Sequence, residues 1–266
     1  MAELTQEQKN EFLWESNPFS SVKNVIAVAS GKGGVGKSLV TSLLACASAK
    51  NGYETAIMDA DVTGPSIPKG FGMHTRLDAV DGVGIEPAVS TLGVKVVSMN
   101  LLLEDEETPV VWRGPVVAGV LEQFWKDVDW GTVDYMFVDM PPGTGDVPLT
   151  VYQSLPVKGI VVVTTPQDLV QMIVKKAYNM ANMMNVPILG VIENMSYLSC
   201  PDCGKKINVF GESKAEAVAK ELGVPVLATL PIDPAVTSLV DQGKVEWVEQ
   251  EDVMNAFGTI ADALAD

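Results

Sequence analysis

The sequence predicts an α/β protein built on a doubly wound, mostly parallel sheet, and three observations carry that expectation. Short β-branched runs alternate with longer helical patterns along the 266 residues. Several of the short runs are apolar at every position, as strands buried on both faces must be. The composition, 47% hydrophobic and 20% charged, supplies a large core and lacks the polar excess of a disordered chain.

Taken in order, the first strand is expected at 24–29 (NVIAVA), followed by a glycine-rich turn and a helix over 37–50. Runs at 54–58 and 95–98 continue the sheet, and the apolar spacing of 115–126 predicts the next helix. Strands follow at 133–138 and 159–164, then a helix over 169–184, a strand at 187–192, a helix over 213–222 and a strand at 225–230. The pattern of 248–265 predicts a closing helix. No Pro-, Gly- or Ser-rich linker or internal repeat divides the chain, so one domain is expected over 23–266, with an N-terminal extension over 1–22 and a cysteine-pair loop at 196–206.

Charge excludes several function classes. With 18 Lys+Arg against 34 Asp+Glu the net charge is −16, which opposes binding to nucleic acid or to an anionic membrane. The N-terminus has no basic opening before an apolar run, and no stretch approaches about 18 uncharged apolar residues, so a soluble cytoplasmic protein is expected. Three cysteines, Cys46, Cys200 and Cys203, fit a reducing compartment in which a close pair holds metal or does redox work.

The first chemical signal is Gly31-Lys32-Gly33-Gly34-Val35-Gly36-Lys37-Ser38, placed between the first strand and the first helix. It satisfies G-x-x-x-x-G-K-[ST] in the required context: a phosphate loop. The glycines let backbone N–H groups curl around phosphate, Lys37 reaches the β/γ-phosphates and Ser38 holds Mg²⁺. Lys32 is a second lysine that a backbone cradle does not need; it is either solvated or aimed at phosphate. Aspartates then end two strands: Asp59-Ala60-Asp61, and Asp139 before MPPGTGD. Carboxylates at strand C-termini face the ligand crevice of a parallel sheet. Asp139 suits the water shell of Mg²⁺, Asp59 or Asp61 the orientation of the attacking water, and Gly143 an N–H that follows the γ-phosphate. No Asn-Lys-x-Asp guanine-reading motif occurs, which favours ATP over GTP.

The second signal is Cys200-Pro201-Asp202-Cys203-Gly204, the spacing of a metal knuckle. A zinc or iron–sulfur site takes about four ligands, and the chain has no second pair and a single histidine, His74. That arithmetic favours one metal site shared by two chains, with a dithiol switch and an inert pair as the alternatives. Cys46, Met180, Met183 and Met184 are read as packing residues, 104–107 as a solvated acidic loop, and the first twenty residues as a docked helix or a mobile tail.

GKGGVGKS, DADVTGPSIP, WRGP, VDMPPGTGD, TTPQD, VIENMSYLSCPDCG and PIDP stand in the order and spacing of one family. On these motifs the sequence resembles the Mrp (ApbC) iron–sulfur cluster carrier ATPases, relatives of the nitrogenase iron protein and of the septum- and partition-type ATPases with a deviant Walker A loop. The likeness runs from about residue 22 to about residue 243. It implies that Lys32 reaches across a homodimer to the partner's nucleotide and that Asp61 positions water, with Asp59 beside it. It implies that Asp139 and Gly143 form the second nucleotide motif and its switch. It further implies that Asn194 contacts adenine while Pro231, Ile232, Asp233 and Pro234 line the base pocket. Cys200 and Cys203, with their partner-chain copies, would bind a bridging [4Fe–4S] cluster, or zinc in aerobic preparations.

The family reading therefore expects an ATP- and Mg²⁺-dependent carrier that receives a cluster from a donor and passes it to apo-proteins. Two substitutions depart from the pattern: Leu39 stands where many relatives have Thr, removing a hydroxyl from the phosphate site, and Pro148 stands where Gln is usual, expected as a harmless loop change. The extra N-terminal domain of many bacterial members and the four-cysteine extension of larger forms are absent, so the short form is expected. A positioning ATPase and a zinc-stapled ATPase dimer are the competing readings. The first wants a basic C-terminal helix, which 248–266 does not supply.

Overall fold

The computed structural model describes residues 12–62, 64, 66–77, 79–80, 84–102, 114–167 and 170–265. An eight-stranded sheet runs through them. Its strands are β1 (Ser21–Ser30), β2 (Thr55–Asp59), β5 (Ala88–Val89), β6 (Lys95–Val97), β7 (Thr132–Asp139), β8 (Val157–Thr164), β9 (Ile188–Glu193) and β12 (Val226–Thr229). The short strands β3 (Ala79–Val80) and β4 (Gly84–Ile85), and β10 (Leu198–Ser199) and β11 (Lys206–Ile207), form two separate antiparallel ribbons. The helices are α1 (Lys37–Lys50), α2 (Ile67–Gly70), α3 (Gly114–Lys126), α4 (Asp146–Ser154), α5 (Val170–Met183), α6 (Ala215–Leu222), α7 (Pro234–Asp241) and α8 (Glu251–Ala263).

The spatial order is β12-β9-β8-β1-β7-β2-β6-β5, parallel except where β5 runs against β6. Alternation along each strand builds two cores. Val25, Ala27 and Ala29 of β1, with Met136 and Val138 of β7, face the layer containing Leu121, Phe124 and Trp125 of α3. Ile26, Val28, Tyr135 and Phe137 face the opposite layer, with Leu43 and Leu44 of α1 and Phe257 and Ile260 of α8. Both faces of a central strand are thus apolar because both are covered by helix, which is why these runs are continuously hydrophobic rather than alternating. No helix among the described residues is long and apolar enough to cross a membrane.

The doubly wound sheet is as expected, with differences of detail beyond the unpredicted short elements α2, β3, β4, β5, β10 and β11. Helices α4 and α7 lie where no helix is read from sequence: each carries a proline, Pro148 and Pro234, that looks like a breaker but sits in the first turn, where its missing N–H has no helical partner to lose. Pro148 is accordingly a buried helical residue and not a loop position. Met180 is buried and Met184 packs against the core, but Met183 is 54% exposed. At the N-terminus β1 begins at Ser21, inside the stretch assigned to the extension, and Trp14 is tied down by Trp14 N–H to Ser154 O (2.9 Å) and Trp125 Nε1 to Trp14 O (3.1 Å). The acidic stretch 104–107, and Trp112 and Arg113 of the WRGP motif, lie outside the described residues.

Candidate functional site

The strand order reverses direction around β1, and ligands of open parallel sheets bind where such a reversal opens a crevice at the carboxyl ends. Ser30, Asp59, Asp139, Thr164 and Glu193 each end a strand at that edge. The sheet therefore brings together residues from the whole length of the chain, and the phosphate loop leaves from its centre.

Residues 31–36 join β1 to α1 around a cavity of about 330 Å³. Its lining includes the whole loop from Lys32 to Ser38, together with Leu39, Asp61 and Pro142. Gly34 and Gly36 both have φ 80°, a left-handed backbone that side chains resist. At Gly36 a Cβ would also collide with the Asn194 amide, so glycine is required twice over there. Leu39 is half-buried, and apart from lining the cavity it packs on the core layer of α1.

Below the loop lies a buried polar cluster centred on Asp139, which is fully buried. Lys37 Nζ is 2.7 Å from Asp139 Oδ1 and 3.9 Å from Asp61 Oδ2. Ser38 Oγ donates to Asp139 Oδ2 at 2.6 Å, and Thr41 Oγ1 donates to Asp139 Oδ1 at 2.7 Å. Asp59 is Asp139's register partner on β2 and is equally buried. It accepts from Ser98 Oγ (2.9 Å) and from Asp61 N–H (3.2 Å). Burial, then the charge of Asp139, pushes the Asp59 carboxyl up to about 8. Thr41 and Ser98 are site residues that sequence reading missed. Thr41 follows Lys37 by one helical turn, a signal that was available, whereas Ser98 reaches Asp59 only through the pairing of β2 with β6.

The donor set fits Mg²⁺ beside phosphate: a hydroxyl, Ser38, and a carboxylate, Asp139, meet at hydrogen-bond distance next to the cavity, with Asp59 behind them. Other sequence-predicted residues are placed as follows. Lys32 is exposed, and its Nζ donates to Gln167 Oε1 at 3.0 Å. Gly143 has φ 95°, and its N–H donates to Ser30 O at 2.8 Å. Asn194 is buried, and its Nδ2 donates to the Val35 carbonyl at 3.0 Å, so its amide clamps the phosphate loop. Asp233 caps α7, accepting from Ala235 N–H at 2.8 Å, while Pro231 is half-buried just before it.

The cysteines occupy the ribbon of β10 and β11. Cys200 N–H donates to Lys205 O (3.0 Å) and Gly204 N–H to Cys200 O (2.8 Å), closing a knuckle around the pair. Gly204 turns it with φ 70°. Hydrogen bonds from the backbone of Asp202 and of Cys203, and then from the Cys203 side chain, hold the Cys200 thiol below its ordinary range, which favours the thiolate a metal binds. Cys203 is exposed and Cys200 half-buried. Cys46 is buried in α1, and burial pushes its thiol up to about 12, consistent with a packing residue. Among the described residues, no group of three or more His, Cys, Asp or Glu side chains is assembled to hold a metal ion.

Comparison with known proteins places this geometry. A relative from Clostridium perfringens named iron–sulfur cluster carrier protein is 51% identical over 235 residues, covering 86% of this chain and 82% of that one. A protein of the same name from Methanocaldococcus jannaschii is 46% identical over 225 residues, covering 84% and 78%. Among solved structures, a nucleotide-binding protein from Archaeoglobus fulgidus in complex with ADP superposes with a TM-score of 0.78 at 42% identity, covering 87% of this chain and 90% of that chain. The cell division ATPase MinD of Pyrococcus furiosus, at 18% identity and a TM-score of 0.67, shares the fold. The model of the NUBPL iron-transfer P-loop NTPases matches residues 21–265, and on this match and these identities the chain belongs to that family of iron–sulfur cluster carrier P-loop NTPases.

Proposed function

We propose that the protein binds and slowly hydrolyses ATP with Mg²⁺, holds a [4Fe–4S] cluster between two copies of itself, and delivers that cluster as cargo to apo-proteins in the cytoplasm. The observation that carries this reading is the cysteine knuckle, whose two thiols are half the ligands a four-iron cluster takes. A second copy supplies the other half. Residues 201–214 are exposed throughout and include Ile207, Val209 and Phe210, apolar surface suited to burial against that copy. The names of the relatives from C. perfringens and M. jannaschii support cluster cargo, and the ADP of the A. fulgidus protein supports a nucleotide in the cavity.

In this mechanism the ATP phosphates lie against the loop amides, and Lys37 exchanges Asp139 for a phosphate oxygen. Ser38 would hold Mg²⁺, with Asp139 and Asp59 binding its water shell, and the bound ion would supply positive charge to the β- and γ-phosphates. Asp61 orients the attacking water, Lys32 reaches the nucleotide of the other copy, and the Gly143 N–H turns from Ser30 to the γ-phosphate. Asn194, Pro231 and Asp233 are assigned to the base side, with Asn194 acting through its grip on the loop.

The test is iron, acid-labile sulfide and zinc per chain in anaerobically purified protein, beside a Cys200→Ser/Cys203→Ser variant. About two iron and two sulfide per chain, lost in the variant, are expected for one cluster per dimer. Stoichiometric zinc without iron after anaerobic reconstitution would replace cargo with a structural staple. The membrane form of the positioning-ATPase reading wants a basic C-terminal helix, and α8 contains neither Lys nor Arg.

A further inference from the structure

One short piece of chain joins the phosphate loop to the cysteine loop, and it contains a buried acid and a buried hydroxyl with no role in the chemistry above. Glu193 ends β9 at 1% exposure, and Ser196 donates its hydroxyl to Glu193 Oε2 at 2.6 Å. Between them, Asn194 grips the Val35 carbonyl, and Met195 has φ 55°, a left-handed backbone that a residue with a side chain adopts only under constraint. Beyond them the chain is fastened to the neighbouring loop. Ser196 N–H donates to Leu230 O (2.8 Å), Ile232 N–H donates to Tyr197 O (2.7 Å), and Leu198 bridges Ile232 immediately before the cysteines.

We propose that Glu193 and Ser196 are positioning residues that couple the phosphate loop to the cysteine loop, so that a phosphate seated at Gly36 changes the freedom of Cys200. The proposal rests on the carrier reading for its use, because only a carrier needs its cargo thiolates to sense nucleotide. Its physical basis is the Val35–Gly36 peptide. That unit is a trans plane, so its carbonyl and N–H point to opposite sides. Asn194 holds the carbonyl, and Gly36 lines the cavity. A phosphate accepting from the Gly36 N–H orients and polarises the plane that Asn194 grips.

Motion of Asn194 reaches Ser196 across a single constrained residue. A second arrangement is at hand for Glu193. Thr164 is its register partner on β8, so the two side chains leave the same face of the sheet, and the Thr164 hydroxyl is buried without a hydrogen-bond partner among the described residues. Glu193 thus has one donor engaged and another beside it, the two-arrangement element that energetic coupling needs.

The test uses the full chain, metal-free, and follows alkylation of Cys200 and Cys203 with and without Mg²⁺ and ADP or ATP; buried Cys46 does not report. Nucleotide is expected to shift the wild-type rate by at least about fivefold. In Ser196→Ala the shift collapses toward onefold while nucleotide affinity by calorimetry stays at the wild-type value, and Ser196→Thr, which keeps the hydroxyl, restores it. If Ser196→Ala proves poorly folded, Thr164→Val, which removes the second donor and leaves Ser196 in place, is expected to lower the response, and a full response in it would equally overturn the coupling. A wild-type rate indifferent to nucleotide, or a full response in Ser196→Ala, would overturn the coupling. Because no cluster is present, these outcomes are independent of metal content, which tests the carrier reading separately.

Discussion

Asp59 and Asp139 face each other at the ends of adjacent strands, and their shared burial makes the doubly ionised pair unfavourable. Asp139 is compensated by Lys37, Ser38 and Thr41, so the proton stays on Asp59. In the folded protein Asp59 keeps it up to about pH 8, whereas the unfolded chain releases it near the ordinary value of 3.8. Between those values the native state binds more protons than the unfolded one, so this group's contribution to stability falls as pH rises. Without nucleotide or Mg²⁺, Asp59→Asn is expected to unfold at a midpoint that declines less than the wild-type midpoint between about pH 5 and about pH 8. Equal pH slopes in a thermal-melt series would refute this.

Helix α7 shows a residue serving its own element before any ligand. Asp233 accepts from Ala235 N–H and Pro234 occupies the first turn, the pairing that starts a helix cleanly. Asp233→Ala is expected to lose about 1 kcal/mol of stability, and Asp233→Asn much less, since the amide oxygen still caps. In differential scanning calorimetry the first corresponds to a fall of about 2–4 °C. If the same substitution also weakens ATP binding severalfold, Asp233 lines the base pocket as well as capping the helix.

Across the whole molecule, the cargo site and the nucleotide site sit on one chain, but each is proposed to be completed by a second copy. Association must then overcome the repulsion of two chains of charge −16, which weakens as salt screens it. Cluster-loaded protein is expected to sediment as a dimer at concentrations where the chelator-stripped protein is monomeric, with dimerisation of the stripped form strengthened by added salt. Sedimentation velocity on the two forms decides this, and a stripped protein that remains wholly dimeric on dilution would show that the cluster is not what joins the copies.

The alternation of apolar runs and the motif GKGGVGKS made the sheet, the phosphate loop and α1 readable from sequence, because a period and a turn are properties of neighbouring residues. Asp59, Asp139 and the cysteine pair were also readable as candidates, since strand ends and C-x-x-C spacing are local. Their partners were not. Ser98 meets Asp59 across 39 positions and Asn194 meets Val35 across 159, distances that sheet order closes and no local signal announces. Helices α4 and α7 were hidden because a proline breaks an interior turn but suits a first one, and only the surrounding packing reveals which turn it occupies. The amino-acid order determined which chemistry the chain carries. The tertiary structure decided which groups meet, because the parallel strands of one sheet buried on both faces bring their carboxyl ends to the same edge.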